Sequence, residues 1–114
     1  MLFRSFMIEA APLVKDSQTM KLHQLLDWAE IDRQLVGLYR RESSNAGGPE
    51  PYAPLGMFKL MLLGQWHGLS DNELERALKV RVDFMVFTGF EPGEPGFPDA
   101  TTICRFRKIG RAHV

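Results

Sequence analysis

The densest basic cluster of the chain lies near its C-terminal end, in the segment TTICRFRK, and consists of Arg105, Arg107 and Lys108. Clustered cationic side chains can neutralise phosphate groups and displace their counterions, so the chemistry that they offer is phosphate binding. The formal net charge of the chain is zero. The overall charge therefore neither supports nor excludes a nucleic-acid partner, and any basic surface must come from local clustering.

Residues for metal or covalent chemistry are few and widely separated. Cys104 is the single cysteine, so an internal disulfide is ruled out and the composition fits a reducing cytoplasm. His23 and His67 lie far from it in sequence and lack the spacing of zinc ligands, and no metal site or cofactor is predicted. The sequence also shows no pairing of nucleophile and base and no phosphate loop, so it does not predict an independent enzyme.

The most apolar run of the chain lies between Leu55 and Trp66 and predicts a central helix. Pro54 fits the first helical position, where its missing N–H has no helical partner to lose. Large apolar residues fall at nearly every angle around this helix, so it must be covered on most sides. With Lys59 and Gln65 inside it, the run is too short to span a bilayer.

A second helix is predicted to begin at Ser70, because Glu73 follows at the spacing of a capping box. Leu74, Ala77 and Leu78 form its inward stripe, and Glu75 with Lys79 can pair on the outer face. Two helices joined by a tight turn at Gly68 form the outline of a helix-turn-helix, which by itself is weak evidence of DNA binding.

The segments before these helices are less regular. Residues 1–15 are predicted to form a poorly ordered or loosely packed extension without the features of a signal peptide. From Met20 to Arg41 the apolar spacing fits one long or two short helices, with a break at Asp27 and Trp28. Residues 42–51, which are rich in Ser, Gly and Pro, are predicted to be a linker loop.

The segments after the central pair complete the predicted bundle. The run VDFMVFT, Val82 to Thr88, is favoured as a short helix because no partner strand is visible, and a turn-filled loop follows from Gly89 to Pro98. Asp99 is a plausible N-cap for a last helix that buries Ile103 and Phe106. The predicted fold class is all-α, a small helical bundle with a helix-turn-helix-like pair and long Gly/Pro-rich loops.

Taken together, several motifs resemble the N-terminal domain of InsH-type bacterial insertion-sequence transposases of the IS-five group. The resemblance covers about residues 20–108 and rests on the order and spacing of DW at 27–28, YAPLGMFKLMLLGQW at 52–66, LSDNELERAL at 69–78, RVDFMVFTGF at 81–90 and PDATTICRFR at 98–107. One departure is Ala100, where the family often has His, so any polar role of that position is lost here.

The resemblance implies an enzyme that cuts and joins DNA at the terminal inverted repeats of its element. Its three catalytic carboxylates and two divalent metals belong to a domain beyond the RFR motif, so no catalytic residue is assigned to this chain. Asp71, Asp83 and Asp99 are interpreted as a cap-region residue, a surface residue and an N-cap. Residues 16–108 are then the helical domain, and residues 109–114, which back-translate to the start of a common sequencing adapter, are predicted to be a non-biological tail.

Two functions remain open at this stage. The first is binding of element-end DNA in the bacterial cytoplasm and nucleoid, with phosphate contacts or hydroxyls from Arg76, Lys79, Arg81, Thr101, Thr102, Arg105, Arg107 and Lys108. The second is an interaction module that docks on the catalytic domain or on a second subunit of a homo-oligomer, with no membrane partner. The candidate residues for that docking surface are Met57, Met61, Phe84, Met85 and Phe87.

Overall fold

Seven helices make up the part of the chain that the computed structural model describes, which is residues 2–46 and 52–111, with side chains described for 6–37 and 52–109. The helices are α1 (Leu2–Val14), α2 (Gln18–His23), α3 (Trp28–Ala46), α4 (Pro54–His67), α5 (Asp71–Val80), α6 (Val82–Thr88) and α7 (Ala100–Arg111). These residues contain no strand, which confirms the predicted all-α class.

Helix α4 is the centre of the bundle, and α3, α5, α6 and α7 all pack against it. Pro54 stands at its first turn, as predicted. Met57, Leu60 and Leu63 are fully buried, because neighbouring helices cover the face that they share. Two residues of α4 have the opposite burial from what their side chains suggest: the charged Lys59 is buried, whereas the apolar Trp66 is 47% exposed.

The turn between α4 and α5 depends on two glycines. Gly68 closes α4 with φ of 67°, a left-handed conformation that glycine adopts without strain. Gly64 allows close approach, because a Cβ there would lie 2.9 Å from Leu74 Cδ2. Helix α5 then starts with both bonds of the predicted capping box: Ser70 N–H donates to Glu73 Oε1 at 2.9 Å, and Glu73 N–H donates to Ser70 Oγ at 3.2 Å.

One apolar core joins α4 to the three later helices. It also receives the half-buried side chains of Phe6, Met20 and Trp28 from the first three helices. The short helix predicted for Val82 to Thr88 is confirmed. Beyond α4, the core consists of Leu74, Leu78, Phe84, Met85, Phe87, Phe90, Ile103 and Phe106.

Two segments contain helix that the sequence did not predict. Residues 2–14 form a helix, α1, whose Ala10 is buried and which packs against α6. Helix α3 continues to Ala46, so the first five residues of the predicted linker are helical, while the rest of it, 47–51, lies outside the described residues. The physical reason is local: the first strong helix breakers after Arg41 are Gly47, Gly48 and Pro49.

The loop between α6 and α7 is the turn-filled segment predicted from its Gly and Pro content. Gly89, Gly93 and Gly96 all have positive φ, and the Glu94–Pro95 peptide bond is cis. The loop is held to the bundle where Tyr52 Oη donates to the Phe97 carbonyl at 3.3 Å. It delivers the chain to Asp99, directly before α7.

Candidate nucleic-acid interface

Helices α5 and α7 lie side by side and antiparallel. At one end, the backbone N–H of Ala100 donates to Glu75 Oε1 at 2.7 Å. At the other end, Arg107 Nη1 lies 2.5 Å from Asp71 Oδ1. The first residue of α7 therefore meets the middle of α5, and the last turns of α7 meet the start of α5.

The N-terminus of α7 is fixed by the predicted cap. Thr102 N–H donates to Asp99 Oδ1 at 2.8 Å, and this backbone bond, with one from the Thr102 hydroxyl, lowers the pKa of Asp99. Ile103 and Phe106 point into the core. Helical geometry then turns the opposite face outward, and it carries Thr101, Arg105 and Lys108 at i, i+4 and i+7.

Helix α5 has a matching outer stripe. Leu74 and Leu78 are fully buried, which turns Asn72, Arg76 and Lys79 outward, again at i, i+4 and i+7, and all three are exposed. Each stripe thus combines one uncharged polar side chain with two cations. We call these six residues the α5–α7 surface: Asn72, Arg76, Lys79, Thr101, Arg105 and Lys108.

A shallow groove lies between α7 and the start of α5. Asn72 lines it from α5, opposite Thr101, Arg105 and Lys108 from α7. The same groove includes Asp71, whose charge is countered by the ion pair with Arg107. The groove therefore brings the amide of Asn72 on α5 together with the hydroxyl and cations of α7.

Glu75 is the second acidic group beside this surface, and its partners hold it in the ionised form. The N–H of Ala100 and the Lys79 ammonium, whose Nζ lies 3.0 Å from Glu75 Oε2, both lower the pKa of Glu75. Lys79 is thus predicted correctly as the i+4 partner of Glu75. A phosphate that binds Lys79 must compete with this exposed ion pair, which contributes little to stability in water.

Three of the residues predicted as DNA contacts lie outside these stripes, and each has a structural partner. Arg107 pairs with Asp71 across the helix interface. Thr102 is half-buried and its N–H belongs to the cap of α7. Arg81 donates from Nη2 to Asp83 Oδ2 at 2.8 Å and from Nε to Oδ1 at 3.1 Å.

The interaction of Arg81 extends further into the fold. Its guanidinium carbon lies 4.2 Å from the ring centroid of Phe84, and Asp83 also accepts from the Thr19 hydroxyl at 3.0 Å. Burial alone would raise the pKa of Asp83, but the bonds from Arg81 and Thr19 outweigh it and the pKa is lowered. Asp83 therefore ties α2 to α6, and its interpretation as a plain surface residue was wrong.

The carboxylates do not converge in the described part of the chain. Asp71 pairs with Arg107, Asp83 with Arg81, and Asp99 caps α7. Within residues 2–46 and 52–111, no group of three His, Cys, Asp or Glu side chains is arranged to hold a metal ion. The same residues contain no helix that is long and apolar enough to cross a membrane.

Sequence reasoning missed one member of the surface, Asn72. Its signal was present, because Asn72, Arg76 and Lys79 share the spacing of one helix face. The predicted contacts comprised only charged and hydroxyl side chains. An amide donor and acceptor in the groove can bind either a phosphate oxygen or a base edge.

The residues predicted for a docking surface belong instead to the core. Met57, Phe84, Met85 and Phe87 are buried, and Met61 is half-buried. The reason is that α4 and α6 are covered by neighbours on the faces that these residues occupy. The exposed apolar residues lie elsewhere, and one shallow apolar cleft between α2 and the end of α4 is lined by Gln18, Lys21, Leu22, Leu25 and Trp66.

The fold and this surface define a small all-α domain built on a helix-turn-helix-like pair, with a polar and basic outer face on the second helix of the pair and the helix beside it. The chain matches the family model described as Transposase domain (DUF772) over residues 8–109. It belongs to that family, and its role is transposase-related. No solved structure matches the chain.

Proposed function

We propose that this domain binds DNA during transposition through the α5–α7 surface. The observation that carries the proposal is the shared groove, in which Asn72 of α5 lies opposite Thr101, Arg105 and Lys108 of α7. Because Asn72 of α5 faces Arg105 and Lys108 of α7 across the groove, a single DNA backbone can contact polar groups of both helices there. Membership of the transposase family supports DNA as the polyanion.

The chemistry of the surface suits phosphates first and bases second. Arg76, Lys79, Arg105 and Lys108 supply cations that neutralise phosphates and release counterions. Four such contacts correspond to a slope of about −3.6 in log K against log salt. Asn72 and Thr101 add directional donors and acceptors, which fix the register of a protein on the duplex. Binding by this domain alone is therefore weak and strongly dependent on salt.

The resemblance to the IS-five group narrows the proposal. We propose that the DNA is the terminal inverted repeat of an insertion element, bound in the bacterial nucleoid by a homo-oligomer. Cutting and joining are assigned to the separate domain with three carboxylates and divalent metals that the resemblance implies. The residues described above are assigned binding and positioning only.

Anisotropy of a fluorescent DNA duplex, measured over a series of salt concentrations, tests the proposal. Replacing Arg105 and Lys108 with Ala should flatten the slope by about 2, because two phosphate contacts are lost. Lys15→Ala with Lys21→Ala is the matched control, since it removes two exposed lysines from α2 and the segment before it. The control should leave the slope unchanged. Equal flattening by both pairs would show a general charge effect and refute the assignment to α7.

A second candidate function is docking on the catalytic domain or a second subunit. It is supported by the apolar cleft of α2 and α4, where Leu25 is 77% exposed beside Trp66. Exposed apolar surface of this kind marks partner contacts in many proteins. The same DNA titration separates the two functions: absence of binding by the unaltered protein at low salt favours docking.

A further inference from the structure

Lys59 of α4 is buried, with 8% of its surface exposed, and its side chain contacts α2, α3 and α6. Its Nζ lies 3.2 Å from His23 Nε2 at the end of α2. The ammonium also lies 4.6 Å from the ring centroid of Trp28 on α3 and 5.5 Å from that of Phe87 on α6. One cation therefore contacts side chains from all three helices that surround it.

The position of His23 is fixed independently of Lys59. Trp28 Nε1 donates to the His23 carbonyl at 2.6 Å. The imidazole lies 5.5 Å from the Trp28 ring and meets the Phe87 ring edge-on at 5.7 Å. The imidazole is therefore held facing the ammonium, and it cannot turn away without disturbing the packing of α2 and α3.

The contact requires a neutral histidine. A lysine ammonium has three donors and no acceptor, so His23 Nε2 must accept and the ring proton must lie on Nδ1. Protonation of Nε2 would remove the acceptor and place two positive charges about 3 Å apart in a half-buried site, where repulsion is poorly screened.

Burial and the neighbouring charges shift the pKa values of both His23 and Lys59. Burial, and then the charge of Lys59, lower the pKa of His23. Burial also lowers the pKa of Lys59, and the negative charge of Asp32 on α3 raises it by a smaller amount. From α6 the site is faced by Phe87, which carries no charge.

We propose that the contact between His23 and Lys59 is a proton-sensitive latch that holds the α2–α3 hairpin, Gln18–Ala46, on α4 and α6. Protonation of His23 opens it, and Thr19 then remains as the polar attachment of α2, through Asp83. A histidine that is neutral in the closed state binds its proton more readily once released. The latch is therefore fully closed above the ordinary histidine pKa of 6.5 and opens as pH falls below it.

Trp28 is a built-in reporter for this opening. Trp66→Phe leaves Trp28 as the single tryptophan and replaces the indole beside His67 with a phenyl ring. Fluorescence of this variant of the full chain should change between pH 8 and pH 5, with a midpoint below 6.5 that matches the NMR titration of the His23 ring. Amide protection factors in α2 should fall over the same range, while those in α5 and α7 stay constant.

Two substitutions test the roles of the partners. His23→Gln in the Trp66→Phe background keeps an acceptor for Lys59 but does not titrate, so its fluorescence should be flat with pH. Lys59→Met removes the charge at similar length and should raise the NMR pKa of His23. His67→Gln is the control, since His67 lies against Phe84 at 5.2 Å, and it should leave the transition in place.

The latch is overturned by any of three results. The first is a His23 pKa at or above 6.5, and the second is a pKa that Lys59→Met leaves unchanged. The third is a Trp28 transition that persists in His23→Gln. Because none of these measurements involves DNA, their outcome is separate from that of the DNA-binding proposal.

Discussion

The α5–α7 pair and the α2–α3 hairpin attach to the rest of the domain by different kinds of contact. The pair buries four large apolar side chains completely or nearly so: Leu74, Leu78, Ile103 and Phe106. The hairpin contributes the half-buried side chains of Met20, Leu22 and Trp28, a buried hydroxyl at Thr19, and the imidazole of His23, which contacts buried Lys59. Leu25 and Leu26, at its turn, are exposed.

Because of this difference, we expect the two regions to differ in how firmly they are attached and in how strongly their attachment depends on pH. Burial of apolar surface does not depend on pH, so the α5–α7 pair supplies a rigid frame for its outer stripes. The hairpin combines half-buried apolar contacts with the polar contacts of Thr19 and His23, so we expect it to be held less firmly and to respond to pH near neutrality. We expect the two regions to open independently, with the hairpin first.

The largest expected difference between the regions comes from deleting one leucine side chain in each. Leu78→Ala should lower the free energy of unfolding by about 2 to 5 kcal/mol, because the side chain is fully buried and its removal leaves a cavity that the surroundings fill only in part. Leu25→Ala, the matched change in the hairpin, should stay within about 0.5 kcal/mol. Urea unfolding of both variants checks this. A large effect of Leu25→Ala would mean that the exposed cleft is covered in solution.

A smaller effect is expected at the carboxylate that attaches the hairpin. Asp83→Asn should cost about 1 to 3 kcal/mol at neutral pH, since Arg81 and Thr19 lose a charged acceptor. The lowered pKa of Asp83 stabilises the fold above the unfolded value of about 3.9 and stops doing so as pH falls through the folded value. The difference between variant and parent should therefore shrink below pH 4.

Thermal unfolding of both proteins from pH 7 to pH 3 measures this difference. Asp27→Asn is the control, because Asp27 Oδ1 accepts from the Glu30 N–H at 3.2 Å as the cap of α3 and Asn caps equally well. It should change little at either pH. A constant penalty for Asp83→Asn down to pH 3 would show that the charge of Asp83 is not what holds α2.

The same two regions show how far the sequence predicts the fold. The start of α5, the short α6, the glycine-rich loop and the Asp99 cap follow from local signals: a capping box, an apolar run, turn residues and an N-cap spacing. These signals act within a few residues of one another. Structure that depends on such neighbours can be predicted from one chain without knowing its tertiary contacts.

The two helices of the hairpin and the break near Asp27 and Trp28 are among the alternatives that the sequence predicts, but the contacts that attach the hairpin could not be predicted in the same way. Lys59 and Thr19 have the residue types of a surface, and their burial depends on partners that are distant in sequence, His23 and Asp83. The candidate site shows the same limit. Its stripes follow from helical spacing, but the pairing of Arg81 with Asp83 and of Arg107 with Asp71 is visible only in the assembled fold.

The smallest expected difference concerns the N-cap serines of one helix in each region, Ser70 of α5 and Ser17 of α2. Ser70→Ala should cost about 0.5 to 2 kcal/mol, because it removes the acceptor for the Glu73 N–H and disturbs the reciprocal bond that lowers the pKa of Glu73. Ser17 caps α2 by accepting from the Met20 N–H at 3.2 Å, yet the first turn of α2 has no acidic residue and the helix is six residues long.

Ser17→Ala should therefore cost less in global unfolding than Ser70→Ala, because a short helix in a weakly held hairpin can fray without unfolding the core. Its effect should appear instead as faster amide exchange confined to α2. Chemical denaturation combined with hydrogen exchange on both variants distinguishes the two. Equal penalties in global unfolding would mean that α2 is as strongly coupled to the core as α5, and the two regions would then have to be treated as one cooperative unit.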